Sequence, residues 1–245
     1  MSDAWIPASW PAPDGVVAGT TLRHGGISEG RYRSLNLGAF TDDEPAAVEE
    51  NRRRFRAICD LPAEPRWLRQ VHGSVVVIEP PAMQVAEADA SITRQAGVVC
   101  AVLTADCLPV LFVSADGAEL AAAHAGWRGL AAGVLEATVS AMTADPADIL
   151  VWLGPGISQA AFEVGAEVRQ QYVGQDPETA AFFAGNVRGR WQADLFGLAR
   201  LRLANAGVGS ISGGDYCTYR DAERFFSHRR DGDCGRMASF VFRRK

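Results

Sequence analysis

The sequence predicts an α+β protein with mixed β-sheets, on two observations. Apolar runs typical of strands and amphipathic runs typical of helices follow one another without the strict strand–helix–strand repeat of a doubly wound parallel sheet. Two neighbouring strand-like runs, 109–114 and 119–124, read as an antiparallel hairpin. Because no linker or repeat interrupts the chain, residues 1–245 are predicted to form a single domain.

The first half of the chain is predicted to be mostly strands. Its one helix is capped by Asp42 or Asp43, carries Pro45 in its first turn and ends near Cys59. The strands are predicted from runs rich in β-branched and apolar residues, each bounded by turn residues. They cover 15–22, 66–71, 74–79, 98–103, 109–114 and 119–124, with a short further segment at 88–93.

The second half alternates helices with strands. A helix over 130–142 follows a Gly-Trp-Arg-Gly turn, a second covers 164–173, and Asp194 caps a third that ends near Ala206. Strands are predicted at 149–153, which runs into Gly154-Pro155-Gly156, and at 208–212 and 237–243.

The composition excludes several classes of protein. A net charge of −5 argues against binding to nucleic acid or to a membrane surface, since both need a basic face. No apolar run approaches the roughly 20 residues of a membrane span. The five cysteines do not form a disulfide framework, and residues 1–5 lack the features of a signal peptide. We therefore expect a reduced, cytoplasmic protein.

The soft-metal ligands of the chain stand at the ends of strand-like runs. They are His72 in Gln-Val-His-Gly, Cys107 in Thr-Ala-Asp-Cys, and His124 in Ala-His-Ala-Gly-Trp-Arg-Gly. Two imidazoles and one thiolate suit zinc, and three protein ligands leave a fourth position for water or substrate. This pattern predicts a catalytic metal site. The alternative is that the histidines are hydrogen-bonded turn residues and Cys107 a small core residue.

Two carboxylates lie beside these ligands. Asp89 and Asp106 could orient a metal-bound imidazole or take a proton, or they could simply cap turns. Cys107 could also act as a nucleophile activated by a histidine. The sequence leaves these roles open, and Cys107, Asp89 and Asp106 are the predicted catalytic residues.

Three segments are typical of anion sites, because arginine lies next to glycine or a small residue in each. They contain Arg23, Arg128 and the pair His228-Arg229. In an acidic protein, such local basic clusters favour a small anionic substrate. Surface ion pairs are the alternative interpretation.

Taken together, these motifs closely resemble the YfiH/YlmD family over nearly the whole chain. Its members have been labelled laccase-domain or polyphenol oxidase proteins, purine nucleoside phosphorylases and peptidoglycan editing factors. The segments that carry the resemblance are 21–28 (Thr-Leu-Arg-His-Gly-Gly-Ile-Ser), 34–38 (Ser-Leu-Asn-Leu-Gly), 70–73, 88–90, 104–110, 124–129, 153–157 and 226–230.

The resemblance implies a layered α/β/β/α domain similar to the catalytic domain of cytotoxic necrotizing factor. It implies a zinc ion held by His72, Cys107 and His124, and phosphorolysis of adenosine, inosine and S-methyl-5'-thioadenosine with adenosine deamination as a further activity. The expected partners are a small nucleoside and phosphate; monomer and homodimer stay open. The residues predicted to bind phosphate or substrate are Arg23, Asn36, Arg128, His228 and Arg229.

Two other activities remain as alternatives. One is an amidase that removes L-Ser from UDP-MurNAc-L-Ser, which would use the same residues. The other is a copper-dependent polyphenol oxidase. It is disfavoured because a blue-copper centre alone takes two His and one Cys, which leaves too few of the four histidines for a multinuclear cluster. Cu²⁺ is therefore the less favoured ion.

Overall fold

A computed structural model describes residues 4–82 and 84–245. The strands are β1 (Trp5–Pro7), β2 (Val16–Thr21), β3 (Leu68–Arg69), β4 (Val76–Ile78), β5 (Ala86–Glu87), β6 (Ala90–Thr93), β7 (Cys100–Thr104), β8 (Leu108–Ser114), β9 (Leu120–Ala125), β10 (Ile149–Leu153), β11 (Glu163–Val164), β12 (Phe183–Gly185), β13 (Trp191–Ala193), β14 (Ser210–Gly213) and β15 (Met237–Arg243). The helices are α1 (Pro45–Ile58), α2 (Trp127–Ala131), α3 (Val134–Ala141), α4 (Ala166–Val173), α5 (Leu195–Asn205) and α6 (His228–Asp231). None of the described helices is long and apolar enough to cross a membrane.

Two large sheets organise these strands. The first is antiparallel, in the order β1-β2-β15-β7. The second has the order β14-β10-β8-β9-β6-β4; its central pairs are antiparallel and its two outer pairs are parallel. The predicted hairpin is the pair β8–β9, in which Pro109 lies opposite His124. The prediction of mixed sheets is confirmed.

The two sheets pack face to face. Leu111, Val113 and Trp152 of the six-stranded sheet are buried in one cluster with Val102 and Val241 of the four-stranded sheet. Side chains alternate between the two faces of a strand, so every second residue of β8 and β9 points into this interface. Burial of these apolar rows from water is the main force that holds the sheets together.

Helices cover the outer face of each sheet. Phe55 of α1 packs edge-on against Phe240 of β15, with ring centroids 5.3 Å apart. On the other side, Leu135 of α3 and Leu198 of α5 are buried against the six-stranded sheet. The order of layers is therefore helix, sheet, sheet, helix, and the predicted layered fold is confirmed.

Several predicted elements are shorter than expected near His72. The strands predicted at 66–71 and 74–79 are reduced to β3 and β4. The backbone N–H groups of Val71, His72 and Gly73 bind the carboxylate of Asp89 instead of a neighbouring strand. A side chain thus takes the hydrogen bonds that would have extended the sheet.

Other boundaries also differ from the prediction. The helix predicted over 130–142 is divided into α2 and α3, because Gly133 between them has φ +88°, which an α-helix does not allow. The helix predicted from 164 begins at Ala166, since β11 pairs with β13. The short strands β1, β12 and β13 carry too few residues for a periodic pattern and are absent from the sequence prediction.

The strands predicted at 98–103 and 109–114 are present as β7 and β8, but they belong to different sheets. β7 lies at the edge of the four-stranded sheet and β8 in the middle of the six-stranded one. The turn between them, which contains Asp106 and Cys107, therefore crosses from one sheet to the other.

Phe55→Ala tests the packing of α1. The phenyl ring is fully buried, so its removal should lower the free energy of unfolding by about 3–5 kcal/mol. Phe40→Ala is the matched control, because Phe40 is 74% exposed, and it should change stability by less than about 0.5 kcal/mol. Urea unfolding followed by circular dichroism measures both, and equal effects would contradict the described packing.

Candidate metal centre and substrate pocket

His124 and Cys107 share the row of side chains that faces the sheet–sheet interface. In β9, Leu120 and Ala122 point into that interface, and His124 follows them with the same period of two. In β8, Leu111 and Val113 belong to the same row, which places Cys107 on that side as well. The site therefore lies at the open end of the space between the two sheets.

The three predicted metal ligands are brought together here. One ligand atom from each of His72, Cys107 and His124 lies within 4.8 Å of the others. The two imidazole rings are edge-on, with centroids 4.8 Å apart. Two nitrogens and one sulfur at this spacing fit a zinc ion that keeps one coordination position open.

A buried carboxylate fixes two of the three ligands. Asp89 is fully buried and its Oδ1 lies 2.8 Å from Nδ1 of His124. It also accepts the backbone N–H groups of Val71, His72 and Gly73, at 3.2, 2.9 and 2.7 Å. The contact with Nδ1 leaves Nε2 of His124 for a metal, as is usual for imidazole ligands. Asp89 is thus placed to orient the ligands.

The glycines of the 124–129 motif are required by close packing. A Cβ atom at Gly126 would lie 2.8 Å from Sγ of Cys107 and 3.1 Å from Cδ2 of His72. A Cβ atom at Gly129 would lie 2.8 Å from the carbonyl oxygen of Gly73. Side chains at either position would push the ligands apart.

Two site residues adopt the left-handed backbone region that favours glycine. His72 has φ +61° and Asp106 has φ +93°. Such conformations persist only where surrounding contacts impose them. For Asp106 those contacts are visible: its carboxylate accepts the hydroxyl of Thr218 at 2.7 Å and the backbone N–H of Arg229 at 2.6 Å. Asp106 therefore ties the Cys107 turn to α6.

The electrostatics favour a thiolate. Burial alone would raise the pKa of the Cys107 thiol, but the charge of His124 and hydrogen bonds from His124 and His72 outweigh it and hold this pKa at about 6. Burial would lower the pKa of His124, but the Cys107 thiolate and the bond to Asp89 raise it to about 9. The metal-free site is therefore an ion pair near neutral pH.

A cavity of about 490 Å³ opens onto the ligands. Its walls include the aromatic rings of Phe40, Trp127 and Phe162 and the guanidinium groups of three arginines. A pocket of this volume holds a small organic ligand. The aromatic faces suit a planar ring, and the arginines suit an anion.

The residues predicted to bind phosphate or substrate lie in three different parts of the structure. Arg128, His228 and Arg229 line the cavity. Arg23 lies in a separate surface depression, where its guanidinium donates to the carbonyl oxygens of Arg33 and Ala222. Asn36 is fully buried, and its side chain bonds with groups of the protein itself.

The partners of Asn36 show what it holds. Its Nδ2 donates to Oγ1 of Thr41 and to a carboxylate oxygen of Asp43, both at 2.9 Å. Its Oδ1 accepts the backbone N–H groups of Gly38 and Arg236, at 3.0 and 2.9 Å. Asn36 thus fixes the loop that carries one wall of the cavity.

Arg236 is a charged residue of the cavity that the sequence prediction left out. Arg236 stands directly before β15, and this position is the sequence signal that could have identified it as a site residue. In the structure, Met237, the first residue of β15, pairs with Thr104 near the Cys107 turn.

Comparison with known proteins identifies the relatives of the chain. Residues 17–244 match the family described as multi-copper polyphenol oxidoreductase laccase. The chain belongs to this family. A purine nucleoside phosphorylase of Escherichia coli named YfiH is 53% identical over 245 residues, 99% of each chain. A purine nucleoside phosphorylase of Pseudomonas aeruginosa is 50% identical over 98% of each chain.

Solved structures of the family share the fold. A Neisseria meningitidis protein superposes with a TM-score of 0.95 at 46% identity, over 99% of this chain and all of that one. YlmD from Geobacillus stearothermophilus superposes with a TM-score of 0.90 at 33% identity over both whole chains. The predicted resemblance to YfiH and YlmD is confirmed, and the named relatives confirm that the chain is an enzyme.

Gly126→Ala tests the close approach at the ligands. Its methyl group would contact Sγ of Cys107, so the affinity of this ligand group for a metal ion should fall at least about tenfold, as for other disturbed metal shells. Gly209→Ala is the control, because no atom lies within 4 Å of a Cβ there. Zinc competition with a chelator measures both affinities. Retained affinity in Gly126→Ala would contradict the described geometry.

Alkylation tests the thiolate. In metal-free protein, the fraction of Cys107 that reacts quickly with iodoacetamide should rise with pH and reach half near pH 6, since only the thiolate reacts. His124→Gln removes the positive charge and should move this midpoint upwards. Cys100, whose pKa burial raises to about 12, provides an internal control. Peptide mass spectrometry measures the alkylated fraction of each cysteine between pH 5 and 9. A midpoint near 8.5 for Cys107 would refute the ion pair.

Proposed function

We propose that the chain is a zinc-dependent purine nucleoside phosphorylase that acts on inosine, adenosine and S-methyl-5'-thioadenosine and also deaminates adenosine. The observation that carries the proposal is the group His72, Cys107 and His124 at a cavity that also holds arginines and aromatic rings. The names of the relatives from Escherichia coli and Pseudomonas aeruginosa support it.

Zinc is favoured over copper by the number of ligands. A multicopper oxidase needs a multinuclear cluster in addition to a single two-His, one-Cys centre. Among the described residues, His72, Cys107 and His124 form the one group of three close metal-ligating side chains. His24 lies in the separate depression beside Arg23. These observations support one mononuclear site, despite the laccase label of the family.

The cavity suits the two substrates of a phosphorolysis. Trp127 and Phe162 offer apolar ring faces against which a purine can stack. The arginines that line the same cavity supply positive charge for phosphate in a chain whose net charge is negative. A nucleoside and phosphate bound side by side would gain the rate advantage of fixed proximity.

Each polar residue of the site would have a distinct task. Zinc held by His72, Cys107 and His124 would supply Lewis-acid polarisation of a bound oxygen, for phosphorolysis and for deamination alike. Asp89 keeps the imidazole of His124 in one orientation through Nδ1. Asp106 holds α6 against the Cys107 turn, and His228 of this helix lines the cavity.

Cys107 is proposed as a ligand rather than a nucleophile. Its thiolate lies between two imidazoles, which matches the donor set of zinc. The remaining cysteines are free thiols, which fits the proposed reducing, cytoplasmic setting.

Phosphate-dependent release of hypoxanthine from inosine tests the function. Wild type with about one zinc per chain should release the base only when phosphate is present. Cys107→Ala should lose zinc, and its activity should fall more than about 100-fold, since even partners of ligands cost 10–100-fold. Cys217→Ala is the matched control, a part-exposed thiol outside the ligand group.

Two results would overturn the proposal. Full activity in zinc-free Cys107→Ala would remove the metal from the reaction. Zinc-loaded wild type that releases no base from any of the three nucleosides would exclude phosphorolysis and leave the removal of L-Ser from UDP-MurNAc-L-Ser as the activity to assay.

A further inference from the structure

The cavity contains more positive charge than its own carboxylate can balance. Arg128, Arg229 and Arg236 line it, with Asp106 as the lining carboxylate. Both oxygens of Asp106 are already engaged, by Thr218 and by the backbone of Arg229. In the part of the chain that the structure describes, none of the three arginines forms an ion pair with a carboxylate.

Two of these arginines are poorly placed to hold an anion tightly. Arg229 is exposed, donates through Nη1 to the carbonyl oxygen of Glu163 and stacks over Phe162. Arg128 is also exposed and stacks on its neighbour Trp127. Because both residues are exposed, water screens their charge.

Arg236 is held at both ends. Its backbone N–H donates to Oδ1 of Asn36, and its carbonyl accepts the N–H of Leu37. Its guanidinium donates through Nη1 to the carbonyl oxygens of Cys234 and Gly235, at 2.6 and 3.2 Å. The side chain also packs along Gly38, where a Cβ atom would lie 2.9 Å from Cγ of Arg236.

This anchoring uses only one nitrogen of the guanidinium. Among the described residues, Nε and Nη2 of Arg236 have no hydrogen-bond acceptor. The Nε–Nη2 edge is the one that binds two oxygens of a phosphate or carboxylate side by side. Because the group is half-buried and already immobilised, an anion bound there forms charge-assisted bonds at little cost in side-chain entropy.

We propose that Arg236 binds the phosphate used by this enzyme, through Nε and Nη2, and that Asn36 is the residue that positions it. The proposal rests on the proposed phosphorylase function and names the phosphate site within it. The same edge would also bind a phosphate that belongs to a nucleoside diphosphate, so the experiment includes both sources.

Steady-state kinetics of Arg236→Met and Arg236→Lys with inosine test the proposal. Loss of two charge-assisted hydrogen bonds should raise the KM for phosphate about 10- to 100-fold in Arg236→Met, with the KM for inosine changed less than about threefold. Arg236→Lys keeps the positive charge but loses the paired N–H donors of the guanidinium, so its KM for phosphate should lie between those of wild type and Arg236→Met. Arg31→Met, an exposed arginine outside the cavity, is the control.

Adenosine deamination provides an internal comparison, because it consumes no phosphate. Arg236→Met should therefore impair phosphorolysis of inosine at limiting phosphate far more than it impairs deamination of adenosine. An increase in the KM for inosine without one for phosphate would overturn the proposal, since Arg236 would then contact the nucleoside.

A direct measurement of phosphate binding tests the phosphate site independently of the phosphorylase activity. Line broadening in ³¹P NMR should show that zinc-loaded wild type binds orthophosphate and that Arg236→Met binds it at least about tenfold more weakly. If wild type releases no base but its binding of phosphate still depends on Arg236, the phosphorylase function fails and the anion site stands.

Two other outcomes would contradict the proposal. If the protein binds uridine diphosphate through Arg236 but does not bind orthophosphate, the site belongs to a nucleotide and phosphate is not the co-substrate. If wild type and Arg236→Met bind phosphate equally well, Arg236 is not part of the phosphate site.

Discussion

The centre depends on the buried carboxylate of Asp89. A fully buried carboxylate is costly unless donors surround it, and here three backbone N–H groups and one imidazole do so. The three N–H groups belong to the loop that carries His72, and the imidazole is the ring of His124. The negative charge thus gathers two ligands, which lie in separate segments of the chain, into one fixed geometry. The short strands around His72 are the structural consequence.

Asp106 and Asn36 act in the same way elsewhere in the cavity. Asp106 binds a hydroxyl and a backbone N–H across the gap between the Cys107 turn and α6. Asn36 uses both atoms of its amide to join the loop 38–43 to the residue before β15. Buried polar groups whose hydrogen-bonding capacity is filled give rigid, specific structure. Polar residues of this kind account for a cavity whose walls are mostly loops.

Sequence reasoning predicted the ligands and most strands because both leave local signals. The apolar runs that became β8, β9 and β15 are long enough to show their periodicity, and His124 stands at the end of one of them. What it could not predict depends on contacts between distant segments. Nothing near residue 36 indicates that its amide reaches Arg236. Likewise, the 66–79 segment has strand composition, yet a carboxylate further along the chain takes its hydrogen bonds.

The crossing of the β7–β8 turn between the two sheets has a consequence for folding. His124 lies in β9 of the six-stranded sheet, and Cys107 stands directly before β8 of the same sheet, at the end of the turn that begins at β7 of the four-stranded one. The turn that carries Cys107 is therefore fixed at both ends only after the two sheets have docked, because β7 belongs to one sheet and β8 to the other. The assembled group of His72, Cys107 and His124 is a late property of the folding chain, since contacts between distant segments must form first. An ion held by these three side chains would fix the turn between the sheets against β9, and would stabilise only the assembled protein.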